Sequence, residues 1–190
     1  MDSAGDVLRL IAGDPWRRCI LETVRALELP DSWVGAGFVR ALVWDHLHGY
    51  SEATPLDDVD VVYYDADRTD RQVERRHEER LADLWPADQR LVPWSVKNQA
   101  RMHVRNGDAP YRDTADALCH WLETPTAVAV RMDPAGALQL LAPLGVDDLL
   151  AMRIAPTPHA QNRRLGAYRK RVLSKPWARQ WPKLEVINPA

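Results

Sequence analysis

The chain has 190 residues, 46% of them hydrophobic and 27% charged, and a formal net charge of −2. Those proportions suit one soluble globular domain with one sizeable core. No apolar run approaches the ~20 residues that cross a bilayer, and two isolated cysteines, Cys19 and Cys119, make neither a disulfide framework nor a paired-cysteine zinc site. Met1 to Asp6 carry no basic segment and no signal-like apolar stretch follows, so a reducing cytoplasm is the expected compartment, with no membrane partner.

The first 30 residues read as two helices. Asp2 or Ser3 can cap the first, and Asp14-Pro15 opens the second. Ile20, Leu21, Val24 and Leu27 then recur at helical spacing. Trp33-Val34 reads as a short strand running into Gly35-Ala36-Gly37. A helix follows, with Phe38, Val39, Leu42, Val43 and Leu47 on one face. Val59 to Tyr64 is β-branched and aromatic, a strand. Thr69 and Gln72 resemble a capping box that starts a charged, exposed helix reaching Trp85. A strand is expected between Leu91 and Val104, a helix over Thr114 to Leu122, and two strands, Thr126 to Met132 and Ala137 to Leu141, around a turn at Asp133 to Gly136. The tail is helical around Val146 to Met152 and Gln161 to Leu173 and ends in a segment rich in tryptophan and proline. Strands mixed with helices predict an α+β or α/β domain with a mixed sheet.

Charge is unevenly spread. Asp57 to Asp88 holds 11 acidic and 5 basic residues, whereas Arg153 to Ala190 holds 9 basic and 1 acidic. Such a split fits a metal-binding site beside a phosphate-binding surface, or two solvated helix faces, the plainer reading. The same holds for Arg163, Arg164, Arg169, Lys170 and Arg171. They could meet an RNA or a nucleotide, but no nucleic-acid-binding motif accompanies them.

Asp58 and Asp60 are two apart on a strand and so face the same side. Carboxylates at that spacing repel, and a divalent cation is the usual compensation. Mg²⁺ takes oxygen ligands from one or two carboxylates plus substrate phosphates. Gly35-Ala36-Gly37 ends a strand before a helix, where glycines let backbone N–H groups approach a phosphate. Alone, such a glycine pair is usually just a turn, and an Asp-x-Asp pair can be a solvated strand edge. His46-x-His48 suggests a transition-metal site only superficially, since residues two apart on a helix diverge.

In this order the two elements resemble the nucleotidyltransferase superfamily signature: a hydrophobic-glycine turn and helix, then a strand carrying hydrophobic-Asp-hydrophobic-Asp. The fit is closer to a bacterial family of nucleotidyltransferase-like proteins. It rests on Val34 to Gly37 with Arg40 and Val43-Trp44-Asp45, Asp58 to Asp65, Val96 to His103, Glu123-Thr124 with Thr126-Ala127-Val128, Ala142 to Gly145 with Asp147-Asp148-Leu149, and Lys175-Pro176-Trp177 with Trp181-Pro182. The resemblance implies a nucleotidyltransferase fold, α+β with a mixed β-sheet flanked by helices. One domain over 1–190 would comprise N-terminal helices (1–30), a catalytic core (about 31–145) and a basic helical tail (about 146–190). It implies transfer of a nucleoside monophosphate from an NTP to a hydroxyl acceptor, assisted by Mg²⁺ or Mn²⁺ on Asp58 and Asp60. Gly35, Ala36 and Gly37 would lie along the β- and γ-phosphates. Arg40, Lys97 and Arg101 are further candidates for phosphate contact, although Arg40 could equally reach out to solvent or pair with Asp45, and Lys97 and Arg101 with the acidic middle region.

Two departures stand out. The interval from Gly37 to Asp58 is longer than the superfamily's usual spacing. The third carboxylate of active members has no acidic counterpart between Leu91 and Val104; Glu123 and Asp133, which flank the next strand, are the candidates, with Asp65 also open at the far end of the strand that carries Asp60. A non-catalytic nucleotide sensor or partner-binding module of the same fold is therefore the alternative, and a metal-dependent phosphohydrolase a third reading.

Overall fold

The computed structural model describes residue 1 and residues 3–189. Helix α1 (Ala4–Ala12) begins at Ser3, whose side chain accepts from the Asp6 amide while the Asp6 carboxylate accepts from the Ser3 amide. Asp2, the other candidate cap, lies outside the described residues. Asp14 caps α2 (Pro15–Arg25), with Pro15 at the first helical position. Strand β1 (Trp33–Gly35) turns at Ala36 into α3 (Gly37–His48), and β2 (Val59–Tyr63) follows a loop.

Helix α4 (Arg71–Leu84) starts one residue later than the expected capping box. The Asp70 carboxylate, not the Thr69 hydroxyl, accepts from the Gln72 amide. The strand expected between Leu91 and Val104 is Trp94–Asn98 (β3); a 3₁₀ turn at Gln99–Arg101 and helix α5 (Met102–Asn106) follow it. Asn98 makes the break. Its Oδ1 accepts from the Ala100 and Asp65 amides, and its Nδ2 donates to the carbonyls of Asp65 and Arg68. Every polar site of this fully buried amide is used, so it ends the strand and pins the loop after β2.

Helix α6 (Thr114–Cys119), a 3₁₀ turn at Thr124–Thr126, and the hairpin β4 (Ala129–Met132) and β5 (Leu138–Leu141) complete the main sheet. The tail holds α7 (Asp147–Leu150), β6 (Arg153–Ile154), α8 (Pro158–Arg163), α9 (Leu165–Ser174), α10 (Trp177–Gln180) and β7 (Glu185–Val186). The helix expected from Gln161 to Leu173 is thus two, broken at Arg164. The parallel β6–β7 pair gives no sequence signal, being two residues long in each strand.

The five-stranded sheet has the order β3-β2-β1-β4-β5. Only β2 and β3 are parallel, joined by the α4 crossover; the other pairs are antiparallel. Alternation sorts the strand residues. Val34, Val59, Val61, Tyr63, Val96 and Val130 bury on one face with residues of α1, α2, α3, α4 and the tail. Trp33, Val62 and Ala129 bury on the other with Leu118 and Trp121. Asp60 shares this second face with its strand neighbour Val62.

Candidate active site

Three segments meet at one end of the sheet: the β1–α3 turn, the start of β2, and the C-terminal helices. The antiparallel register pairs Trp33 with Val62 and Val34 with Val61. One step further places Gly35 opposite Asp60, so the glycine turn and the aspartates are neighbours because of strand pairing. Ala36, Gly37, Arg40, Asp58, Asp60, Arg171, Lys175 and Trp177 line a cleft of about 90 Å³ here. A larger hollow of about 860 Å³ lies beside Arg25, Asp133 and Gln139, at the other end of β1 and β4. Its volume brings it no converging chemistry of this kind, and Asp58 and Asp60 are not part of it.

The three turn residues do different work. A Cβ on Gly35 would lie 3.2 Å from the Val128 carbonyl oxygen and 3.4 Å from the Trp121 ring, so Gly35 permits close packing. Ala36 has φ 53° and ψ −122°, backbone that favours glycine. Ala36 and Gly37 thereby bring the start of α3 to the cleft, and among the described residues no side chain caps its first amides. A Cβ on Gly37 would meet nothing nearer than Arg40 at 3.7 Å, so no packing demand explains that glycine.

Asp58 is exposed at the mouth and Asp60 half-buried behind it. Burial first, then the charge of Asp58, raise the Asp60 carboxyl to about 6, against a hydrogen bond from Ser95 and the positive charges of Arg171 and Lys97. Two repelling carboxylates, one of them desolvated, are an all-oxygen donor set that fits Mg²⁺ or Mn²⁺.

Arg40 is buried and its guanidinium lies over the rings of Trp177 at 4.6 Å and Trp44 at 5.3 Å. One Nη donates to Thr126 Oγ1 at 2.9 Å, while its buried Nε has no partner. Desolvation lowers its pKa to about 10, so it stays charged beside Glu123, Asp60 and Asp58. Asp45 does not pair with Arg40. It accepts from Thr54 and from Trp181 Nε1.

Glu123 is buried and lies 2.8 Å from Arg171 Nε; burial raises its pKa against the pull of Arg171 and Arg40. It is therefore one residue removed from the aspartates, through Arg40 and Arg171. Asp133 sits in the β4–β5 turn, where it accepts from the Ala137 amide. The pairing of Gly35 with Ala129 puts that turn at the far end of β4. Lys97 and Arg101 also lie outside the cleft, paired with Glu78 at 3.1 Å and Glu74 at 2.6 Å. His48 is engaged by the Trp44 carbonyl and the Lys183 amide.

Arg171 and Lys175 also line the cleft, and the sequence points to them only through the basic character of the tail. Their route to the site depends on Trp177 and Trp181, which pack edge-on against Trp44 and dock the tail over α3. Lys175 also approaches Asp57 at 3.5 Å.

A family model described as nucleotidyltransferase matches residues 22–186. A solution structure described as revealing a CCA-adding enzyme head domain is 30% identical, aligned over 100% of this chain and 98% of its own, with a TM-score of 0.86. The Thermotoga maritima CCA-adding enzyme complexed with tRNA is 16% identical, with a TM-score of 0.56 over 95% of this chain and 42% of that one. A CCA-adding enzyme in complex with CTP gives 16%, 0.56, 98% and 43%. At that identity the two enzymes share the fold alone, and this chain spans less than half their length. No curated protein matches the sequence. No helix among the described residues is long and apolar enough to cross a membrane. The matched family model covers most of the chain, the nearly full-length relative carries the same fold, and the chain belongs to the nucleotidyltransferase family.

Proposed function

We propose that the protein is a Mg²⁺- or Mn²⁺-dependent nucleotidyltransferase that moves a nucleoside monophosphate from an NTP to a hydroxyl acceptor. The observation that carries this reading is the cleft itself: Asp58 and Asp60 on one wall, the uncapped start of α3 and the cations Arg171 and Lys175 on the others. A divalent ion on the two aspartates would neutralise charge at the α-phosphate and lower the pKa of the acceptor hydroxyl. The chain's own part is binding and orientation. The α3 amides offer donors to the β- and γ-phosphates along Gly35 to Gly37. Arg171 and Lys175 offer charge-assisted contacts to the same groups. Arg40, fixed between two tryptophans, holds a positive charge at the back of the cleft without needing to move. The solved relatives include an enzyme complexed with tRNA and one with CTP, so an RNA 3′ end is the first acceptor to try and CTP the first nucleotide.

A second reading, a nucleotide sensor without turnover, is favoured by Glu123. This buried candidate for the third carboxylate is already engaged by Arg171. One experiment separates the readings: thermal shifts of the wild type and Asp58→Asn with each NTP, with and without Mg²⁺ or Mn²⁺, alongside assays of pyrophosphate and phosphate release. Ligand at ~100 times its dissociation constant stabilises by ~2.7 kcal/mol, roughly 5–10 °C for a domain this size. A metal-dependent shift in the wild type alone, with pyrophosphate released, supports the transferase. A shift without product supports the sensor, and no shift with any nucleotide overturns both.

A further inference from the structure

A second cluster of ligating groups lies outside the aspartate cleft. Asp108 follows the left-handed Gly107 at the end of α5, His120 ends α6, and His159 sits in the first turn of α8. One oxygen or nitrogen of each lies within 4.8 Å of the others. Three separate segments thus deliver one carboxylate and two imidazoles to one point.

The groups behind the cluster orient it. His120 Nδ1 is 2.8 Å from the Asp116 carbonyl, so it carries the proton and leaves Nε2 as a lone pair. Asp108 Oδ2 accepts from the Tyr111 hydroxyl at 2.7 Å, which in turn accepts from Asn106 Nδ2 at 2.9 Å. That leaves Oδ1 facing His159 Nε2 at 3.1 Å, although this buried nitrogen makes no aligned hydrogen bond. The His120 ring is held between Tyr111 at 4.6 Å and His159 at 4.4 Å. Both Asp108 and His159 are largely shielded, with side-chain exposures of 5% and 14%.

We propose that Asp108, His120 and His159 form a binding site for a divalent transition metal, zinc first, separate from the Asp58–Asp60 pair. The donor set decides the class of ion. Two imidazoles with one carboxylate suit Zn²⁺ and its neighbours, whereas Mg²⁺ takes oxygen. Tetrahedral ligands at ~2.0–2.1 Å from zinc stand about 3.3 Å apart, so atoms already within 4.8 Å of one another need to draw in by about 1.5 Å or less to close onto an ion. Three protein ligands leave a fourth position open. His120 also lines a cavity of about 220 Å³ with Glu123, Thr126 and Arg171. That cavity shares Arg171 with the aspartate cleft, so the ion would brace the wall of the candidate active site while tying α6 to α8.

The test uses untagged full-length protein, freed of metal by chelation and titrated with Zn²⁺ by calorimetry, then with Co²⁺, whose visible absorption reports tetrahedral nitrogen and oxygen ligation. Wild type and Asp58→Asn/Asp60→Asn are both expected to take one equivalent. His120→Gln and His159→Gln should weaken binding at least about tenfold, while His103→Gln, a neighbouring histidine outside the cluster, should not. Far-UV circular dichroism of each variant separates a lost ligand from a lost fold. Absence of saturable Zn²⁺ binding in the wild type, or undiminished binding in a folded His120→Gln/His159→Gln variant, overturns the site. The cluster would then be a stacked, hydrogen-bonded Asp–His–His core. Zn²⁺ binding that vanishes only in Asp58→Asn/Asp60→Asn would also overturn it, and would place the ion on the aspartates.

Discussion

Two glycines separated by one residue carry opposite duties, and substitution tells them apart. Gly35→Ala forces a Cβ against a backbone carbonyl at 3.2 Å and an indole at 3.4 Å. It should cost ~1–3 kcal/mol as overpacking does, read as a lower urea midpoint at an unchanged slope. Gly37→Ala meets only ordinary contacts, so the midpoint should hardly move while the NTP-dependent thermal shift shrinks. A large stability loss from Gly37→Ala would refute the division. Asp60 yields a second residue-scale prediction. Its folded pKa of about 6 lies above the ordinary aspartate value of 3.8, so between those values the folded state binds more protons than the unfolded. Stability therefore falls as pH rises through that window and stays lower above it. In chelator, Asp60→Asn should be more stable than wild type at pH 7.5, by ~1–3 kcal/mol, with the gap closing as pH falls towards 4. Urea melts at three pH values check this; a gap independent of pH would assign the effect to packing instead. The aspartates and the glycine turn were visible in the sequence because both depend on local order. The half-burial of Asp60 was not, since it follows from what packs on the second face of the sheet.

Helix α4 shows how an element can look solvated and be structural. Its sequence is dense in charge, and its glutamates read as an exposed face. Yet β3 is an edge strand, with backbone donors that need partners. Glu74 and Glu78 stand four apart on the helix, about 6 Å of rise. The amides of Asn98 and Val96 stand two apart on the strand, about 6.5 Å. The near match lets the Glu74 carboxylate accept from Asn98 N at 2.7 Å and the Glu78 carboxylate from Val96 N at 2.9 Å. The same carboxylates hold Arg101 and Lys97, which is why those cations lie outside the cleft. Glu74 is buried and serves both an amide and a guanidinium, so Glu74→Ala should cost ~3–5 kcal/mol. Glu78→Ala, at a pair 37% and 29% exposed, should cost ~1 kcal/mol. Equal losses in denaturant melts would mean that the edge, rather than the buried ion pair, dominates. No periodicity in the sequence separates a glutamate capping a strand edge from one in water, because the distinction lies in the partner.

At the scale of the whole molecule, the acidic middle and the basic tail meet. The charge counts already contained both halves, but a count cannot say whether they face each other. Packing does: Trp177 and Trp181 are buried at 4% and 2% exposure against α3, and the last turn of α9 with the residue after it thereby brings Arg171 and Lys175 to the cleft of Asp58 and Asp60. Arg169, on the same helix, turns away and donates to the Pro189 carbonyl. This gives a test in which net charge is held constant and position alone varies. Arg171→Gln, Lys175→Gln and Arg169→Gln each remove one positive charge. If an NTP occupies the cleft, the first two should each weaken its affinity about tenfold, ~1.4 kcal/mol, in calorimetry with Mg²⁺ present, and the third should leave it within about twofold. A general electrostatic attraction would weaken all three alike, and would fade alike with added salt, because it acts at long range through screened solvent. A direct contact in a partly closed cleft is screened less. Equal losses in the three variants would therefore return the tail to a solvated basic surface, and a loss confined to Arg171 and Lys175 would make it part of the nucleotide site.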